Sequence, residues 1–135
     1  MQKIKFLVFI DDDYATNFYH KIIVRDSGLV EKYKFFSEPE EALTFFKELT
    51  TEEQPEIPDA IFLDVNMPKI DGWGFLNKYG EIPIEKSPII IMLTTSMNPE
   101  DQLKADANPL VKGFKNKPLT EEHLKELQKE LQLVC

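Results

Sequence analysis

The chain carries five short apolar runs, and four of them stop on residues too polar for a sheet interior. The clearest is Ala60-Ile61-Phe62-Leu63, which delivers Asp64 and then gives way to Pro68 and Asp71-Gly72. Ile61, Phe62 and Leu63 read as a strand buried on both faces and closed by turn chemistry. An Asp is costly on a core strand unless the strand ends there, and open α/β sheets bind ligands at the carboxyl ends of their strands. Asp64 is thus placed for chemistry, although Asp also follows strands as a plain turn or cap residue.

The other runs repeat the pattern. Residues 4–10, rich in branched and aromatic side chains, lead into Asp11-Asp12-Asp13; residues 88–93 empty into Thr94-Thr95-Ser96; residues 110–114 run into Lys115-Asn116-Lys117-Pro118. A short strand at 33–36 completes the set. Helical patterns lie between them. Tyr14, Phe18 and Ile22, with Ala15, Tyr19 and Ile23 beside them, form the apolar stripe of a first helix that ends near Ser27-Gly28. Ser37-Glu38-Pro39-Glu40 has capping-box spacing ahead of a second helix through Ala42, Phe45, Phe46 and Leu49. A third helix spans Gly72 to Tyr79. Asn98-Pro99-Glu100-Asp101 opens a fourth with a cap, a first-position Pro and acids in the first turn. Thr120 caps a fifth, whose inner stripe is Leu124, Leu127, Leu131 and Val134.

Strands alternating with helices predict an α/β fold: a five-stranded parallel sheet, doubly wound, with right-handed crossovers. All strands then end on one edge, where Asp11, Asp12, Asp64, the Thr94-Thr95 pair and Lys117 converge. Carboxylates about 4 Å apart repel by roughly 4 kcal/mol per pair at an effective dielectric of 20, so the cluster calls for a counter-ion. Oxygen-only donors suit Mg²⁺, which commonly bridges a carboxylate to a phosphoryl group.

Composition narrows the function classes. The 135 residues fit one domain, 1–135, and 42% hydrophobic content supports one core. There is no apolar run of about 18 residues and no signal-peptide layout, so a cytoplasmic protein without membrane contact is expected. The lone Cys135 excludes an internal disulfide and a cysteine metal cluster. A formal charge of −8 argues against a nucleic-acid surface, which needs clustered cations.

Taken together, Phe9-Ile10-Asp11-Asp12-Asp13, Leu63-Asp64-Val65-Asn66-Met67-Pro68 with Asp71-Gly72, Leu93-Thr94-Thr95-Ser96 and Gly113-Phe114-Lys115-Asn116-Lys117-Pro118 resemble the signature set of two-component response-regulator receiver domains. The match spans nearly the whole chain, each fragment standing at a predicted strand end.

The resemblance implies a stand-alone, chemotaxis-regulator-like receiver of flavodoxin-like strand order 2-1-3-4-5. Asp64 would accept a phosphoryl group from a sensor histidine kinase or phosphotransfer protein and later lose it to water. Asp12 and Asp64, with the Asn66 carbonyl, would hold Mg²⁺, and Asp11 would reach it through a water. Lys117, aimed by a cis Lys117-Pro118 bond, would be the cation acting in cis. Thr94 would be the switch hydroxyl and Phe114 the aromatic that reports its movement. The strand-end phrase favours Thr94, while the spacing back from Lys117 also fits Thr95. Asn66 and Ser96 would line the path of the attacking water and tune the lifetime of the phosphorylated state. Such a protein is no enzyme beyond its own phosphorylation and dephosphorylation, and with no output domain it would signal through a separate protein target.

Two other readings stay open. A haloacid-dehalogenase-like phosphatase would use Asp11 and Asp13 as its Asp-x-Asp pair, against which stand Ala15, where that family has Thr or Val, and the shortness of the chain. A phosphorylation-independent binding module predicts loss of the acceptor, acidic or Lys positions, all of which are present. His20, His123 and Trp73 read as packing or surface residues, and Asp13 as a helix cap.

Overall fold

Alternating side-chain direction explains how the apolar runs assemble. A computed structural model describes residues 2–133 and contains β1 (Ile4–Ile10), α1 (Tyr14–Ser27), β2 (Val30–Phe36), α2 (Pro39–Leu49), β3 (Ala60–Leu63), α3 (Gly72–Tyr79), β4 (Ile89–Thr94), α4 (Pro99–Ala107), β5 (Val111–Asn116) and α5 (Glu121–Leu133). All neighbouring strands pair in parallel, in the order β2-β1-β3-β4-β5. Phe6, Val8, Ile10, Ile61, Leu63, Ile90 and Met92 point to one face, where Ala42, Leu43 and Phe46 of α2 and Phe75, Leu76 and Tyr79 of α3 cover them. Leu7, Phe9, Phe62, Ile91 and Leu93 point to the other, under Val24 of α1 and Leu124 and Leu127 of α5. Phe9 stacks between Phe35 and Phe62, with ring centroids 4.5 and 5.1 Å away, so three strands share one aromatic layer. α4 packs against β5. Among the described residues no helix is long and apolar enough to cross a membrane.

The expected architecture and strand order are the observed ones. Val134 of the expected α5 stripe, and Cys135, lie outside the described residues.

Three local expectations need correction. The edge strands are β2 at Val30–Phe36 and β5 at Val111–Asn116, not 33–36 and 110–114; their exposed Glu31, Lys32, Lys34, Lys112 and Asn116 interrupt the apolar signal without breaking the ladder. Ser37 does not cap α2. Glu38 is the capping residue and makes no side-chain bond, and Pro39 at the first helical position has no N–H to satisfy.

The third correction concerns the stripe of α1. Tyr14, Phe18 and Tyr19 are 75%, 68% and 47% exposed, while His20 and Val24 are buried. The inward face reads as polar in sequence because its polar groups find partners inside. Asn17 Nδ2 donates to the Asp11 carbonyl at 2.8 Å, and His20 Nε2 accepts from Leu119 N–H at 3.1 Å. These bonds let both residues face inward, although the buried Asn17 Oδ1 has no hydrogen-bond partner, and the aromatics are left outside.

Candidate functional site

The parallel ladder carries each candidate residue to one edge and pins it there. One residue past its strand, Asp11 N–H donates to the Phe36 carbonyl at 3.0 Å and Asp64 N–H to the Ile10 carbonyl at 3.0 Å. Lys117 N–H donates to the carbonyl of Thr94, the last residue of β4, at 2.9 Å. The sheet backbone thus fixes both carboxylates and the lysine, with little left to loop conformation.

Their side chains meet. Asp11 and Asp64 are 5% and 6% exposed, and Asp12 is half-buried. Each of the three offers a carboxylate oxygen within 4.8 Å of the others. The Lys117 ammonium pairs with Asp11 Oδ2 and lies 3.3 Å from Asp64 Oδ2, its side chain only 11% exposed. Burial pushes the Asp64 carboxyl above its ordinary range, and the negative charge of Asp11 adds to that, while Lys117 and a backbone bond from Asn66 pull the other way. One lysine against three carboxylates leaves an uncompensated negative charge in a partly dehydrated place. An all-oxygen donor set with that charge fits a hard divalent cation of the Mg²⁺ type.

Gly72 closes the other side of the loop that follows Asp64. Its N–H donates to the Val65 carbonyl at 2.8 Å, and a Cβ on it would stand 2.5 Å from the Asp64 carbonyl oxygen and 2.9 Å from Met92 Cε. The sequence marks Gly72 as turn chemistry; its deeper reason is this close approach.

Thr94 is fully buried, and its Oγ1 accepts from Ser96 N–H at 3.0 Å. Thr95 is exposed and lines a shallow cleft with Ala15, Thr16, Tyr19, Lys117 and Pro118. Asn66 is exposed. Phe114 is half-buried, pairs with Met92 across β4 and β5, and packs against the core beneath α3. The Lys117–Pro118 peptide is cis. Asp13 caps α1, accepting from Ala15 N–H at 3.2 Å and Thr16 Oγ1 at 2.7 Å, so the carboxylates that meet are Asp11, Asp12 and Asp64.

Several contacts escape a sequence reading. His20, buried at 2% exposure, holds the loop after Lys117, and burial followed by the charge of Lys117 lowers its pKa to about 4. His123 Nδ1 accepts from Thr120 N–H while Thr120 Oγ1 accepts from His123 N–H, a reciprocal cap in which an imidazole takes the place of Glu or Gln. Asp101 on α4 takes a hydrogen bond from Ser96 Oγ and another from Trp73 Nε1. A capping Thr three residues before His123 is a local sign; nothing in the sequence joins Trp73 to Asp101.

A family model described as the response regulator receiver domain matches residues 7–129. Among solved structures, a two-component response regulator from Cytophaga hutchinsonii is 30% identical, with 98% of this chain and 99% of that one covered and a TM-score of 0.87. A response regulator receiver protein from Dyadobacter fermentans is 26% identical over 95% of this chain and 98% of that one, TM-score 0.82. A Vibrio cholerae chemotaxis protein, 22% identical over 95% of this chain and 98% of that one, shares the fold with a TM-score of 0.65. No curated protein matches the chain.

Proposed function

The chain belongs to the response regulator receiver domain family, and from that premise we propose that Asp64 is its phosphoryl acceptor. An Asp64 carboxylate oxygen attacks the phosphorus of a phosphohistidine on a histidine kinase or phosphotransfer protein; the O–P bond forms as the P–N bond breaks. The observation that carries this reading is the position of Asp64 at the end of β3, buried, 3.3 Å from Lys117 and grouped with Asp11 and Asp12. In phosphoryl transfer the protein chiefly positions groups and neutralises charge.

Asp11, Asp12 and Asp64, with the Asn66 carbonyl, would hold Mg²⁺, and their donor set supports this. When bound, the ion supplies charge neutralisation at the phosphoryl oxygens. Lys117 supplies the fixed cation. Thr94 is the switch hydroxyl: by accepting from Ser96 N–H it keeps its own proton available for a phosphoryl oxygen. Phe114 follows that movement, and Asn66 and Ser96 set how water reaches the phosphorus.

The donor protein would approach over α1. Tyr14 and Phe18, exposed immediately after the acidic loop, and Tyr19 in the cleft beside Lys117 give it an aromatic landing next to the acceptor. Output passes through the surface of α4, β5 and α5, as acceptor occupancy biases a two-state element. The protein acts as a signalling relay that catalyses only its own modification and its reversal.

Reductive trapping tests the acceptor. Borohydride converts an aspartyl phosphate to homoserine, so peptide mass analysis after treatment with acetyl phosphate and Mg²⁺ should find homoserine at position 64. Homoserine at position 11 instead would return the phosphatase reading.

A further inference from the structure

Asp101 carries a carboxylate in the first turn of α4, yet it is only 8% exposed. A carboxylate is costly to bury, and here neutral donors and the positive end of a helix hold it. Its Oδ1 accepts from Trp73 Nε1 at 3.0 Å, and its Oδ2 accepts from Ser96 Oγ. Both oxygens therefore point inward, one to α3 and one to the β4–α4 loop.

Each partner leads back to the acceptor. Ser96 N–H donates to Thr94 Oγ1 at 3.0 Å. Trp73 follows Gly72, whose N–H donates to the Val65 carbonyl, one residue past Asp64. One path of hydrogen bonds thus runs from the hydroxyl of Thr94 through Ser96, Asp101 and Trp73 to the loop of Asp64, around the outside of the site. Nothing in the acceptor chemistry itself requires Asp101 or Trp73.

We propose that Asp101 is a positioning residue for the switch, holding Ser96 against Trp73 so that a change in Thr94 is carried to the start of α4 and to the indole. The inference rests on the reading of Asp64 as acceptor and Thr94 as switch. If the Thr94 hydroxyl turns to a phosphoryl oxygen, either its bond from Ser96 N–H is lost or Ser96 follows it. A Ser96 that follows pulls on a charge-assisted bond whose other end is the indole. The coupling is reciprocal, so loosening Asp101 also alters how readily Thr94 turns.

Trp73 is the one tryptophan in the chain, so its emission reads this path directly. The experiment follows Trp73 emission and intact mass in the same samples during treatment with acetyl phosphate and Mg²⁺. The wild-type emission should change in proportion to the phosphorylated fraction. Asp101→Ala should gain the phosphoryl group without that change, and Asp101→Asn should restore it, because an amide both accepts from the indole and donates to Ser96 Oγ. Ser96→Ala, which leaves the bond between Asp101 and Trp73 in place, should also lose the change and serves if Asp101→Ala does not fold. An unaltered response in Ser96→Ala or Asp101→Ala, or a silent wild-type indole at full phosphorylation, overturns the inference alone. No adduct on the wild-type chain overturns the acceptor reading and this inference with it.

Discussion

The ammonium of Lys117 lies 3.3 Å from Asp64 Oδ2 while also paired with Asp11. The lysine bridges two buried carboxylates and is placed to hold the phosphoryl group that one of them would gain. Removing one member of a buried pair leaves an uncompensated charge, so Lys117→Ala should cost about 3 kcal/mol. Asp64→Asn in the Lys117→Ala background should recover about 1–2 kcal/mol of that loss. Urea midpoints of the four proteins, measured without Mg²⁺, complete the cycle; strict additivity would mean the pair has no structural coupling.

His20 should make the fold acid-sensitive. Its pKa in the folded protein, about 4, lies below the ordinary value of 6.5, because burial disfavours the imidazolium and Lys117 repels it. Between those values the unfolded chain binds the proton and the folded chain does not, so stability present above about pH 6.5 is lost as the pH falls. From about pH 7 to about pH 5 the loss should be about 2 kcal/mol. His20→Gln, which keeps an acceptor for Leu119 N–H, should start less stable and show a pH slope smaller by that amount. Urea titrations at the two pH values measure it.

Gly72 permits the close approach of α3 to the loop after Asp64. A methyl group 2.5 Å from the Asp64 carbonyl must push either the loop or the helix away. Gly72→Ala should cost about 1–3 kcal/mol and lower the rate of phosphorylation by acetyl phosphate, since Asp64 moves with its loop. A variant with the wild-type rate and midpoint would show that the loop yields freely.

Phe18 is 68% exposed on α1, so its truncation should leave stability within about 0.5 kcal/mol of wild type. With a phosphorylated donor protein the outcome differs. The ratio of the rate from that donor to the rate from acetyl phosphate should fall about tenfold in Phe18→Ala, the expected size for an exposed aromatic anchor. An unchanged ratio would move the donor surface away from α1.

The sheet was legible because its central strands, β1, β3 and β4, are apolar on both faces and end abruptly, so Asp11, Asp64 and Thr94 could be placed on one edge from spacing alone. The edge strands were blurred by residues such as Lys32 and Lys112, which face outward. The orientation of α1 differs from the expected one for a related reason. Hydrophobic periodicity finds the buried face only when that face is apolar, and here Asn17 and His20 occupy it, their partners supplied by Asp11 and Leu119. The bond between Trp73 and Asp101, 28 residues apart, depends on where α3 and α4 pack and has no local signal. The strand-end phrase and the spacing from Lys117 leave both Thr94 and Thr95 open in sequence; in the fold Thr94 is buried, its Oγ1 accepting from Ser96 N–H, and Thr95 faces the cleft.

The role of Asp64 is tested most directly by intact mass after incubation with acetyl phosphate. The wild-type chain should gain a single phosphoryl group only when Mg²⁺ is present, and Asp64→Asn should gain none. An adduct that persists in Asp64→Asn and disappears in Asp11→Asn would contradict the account and place the nucleophile on the first strand.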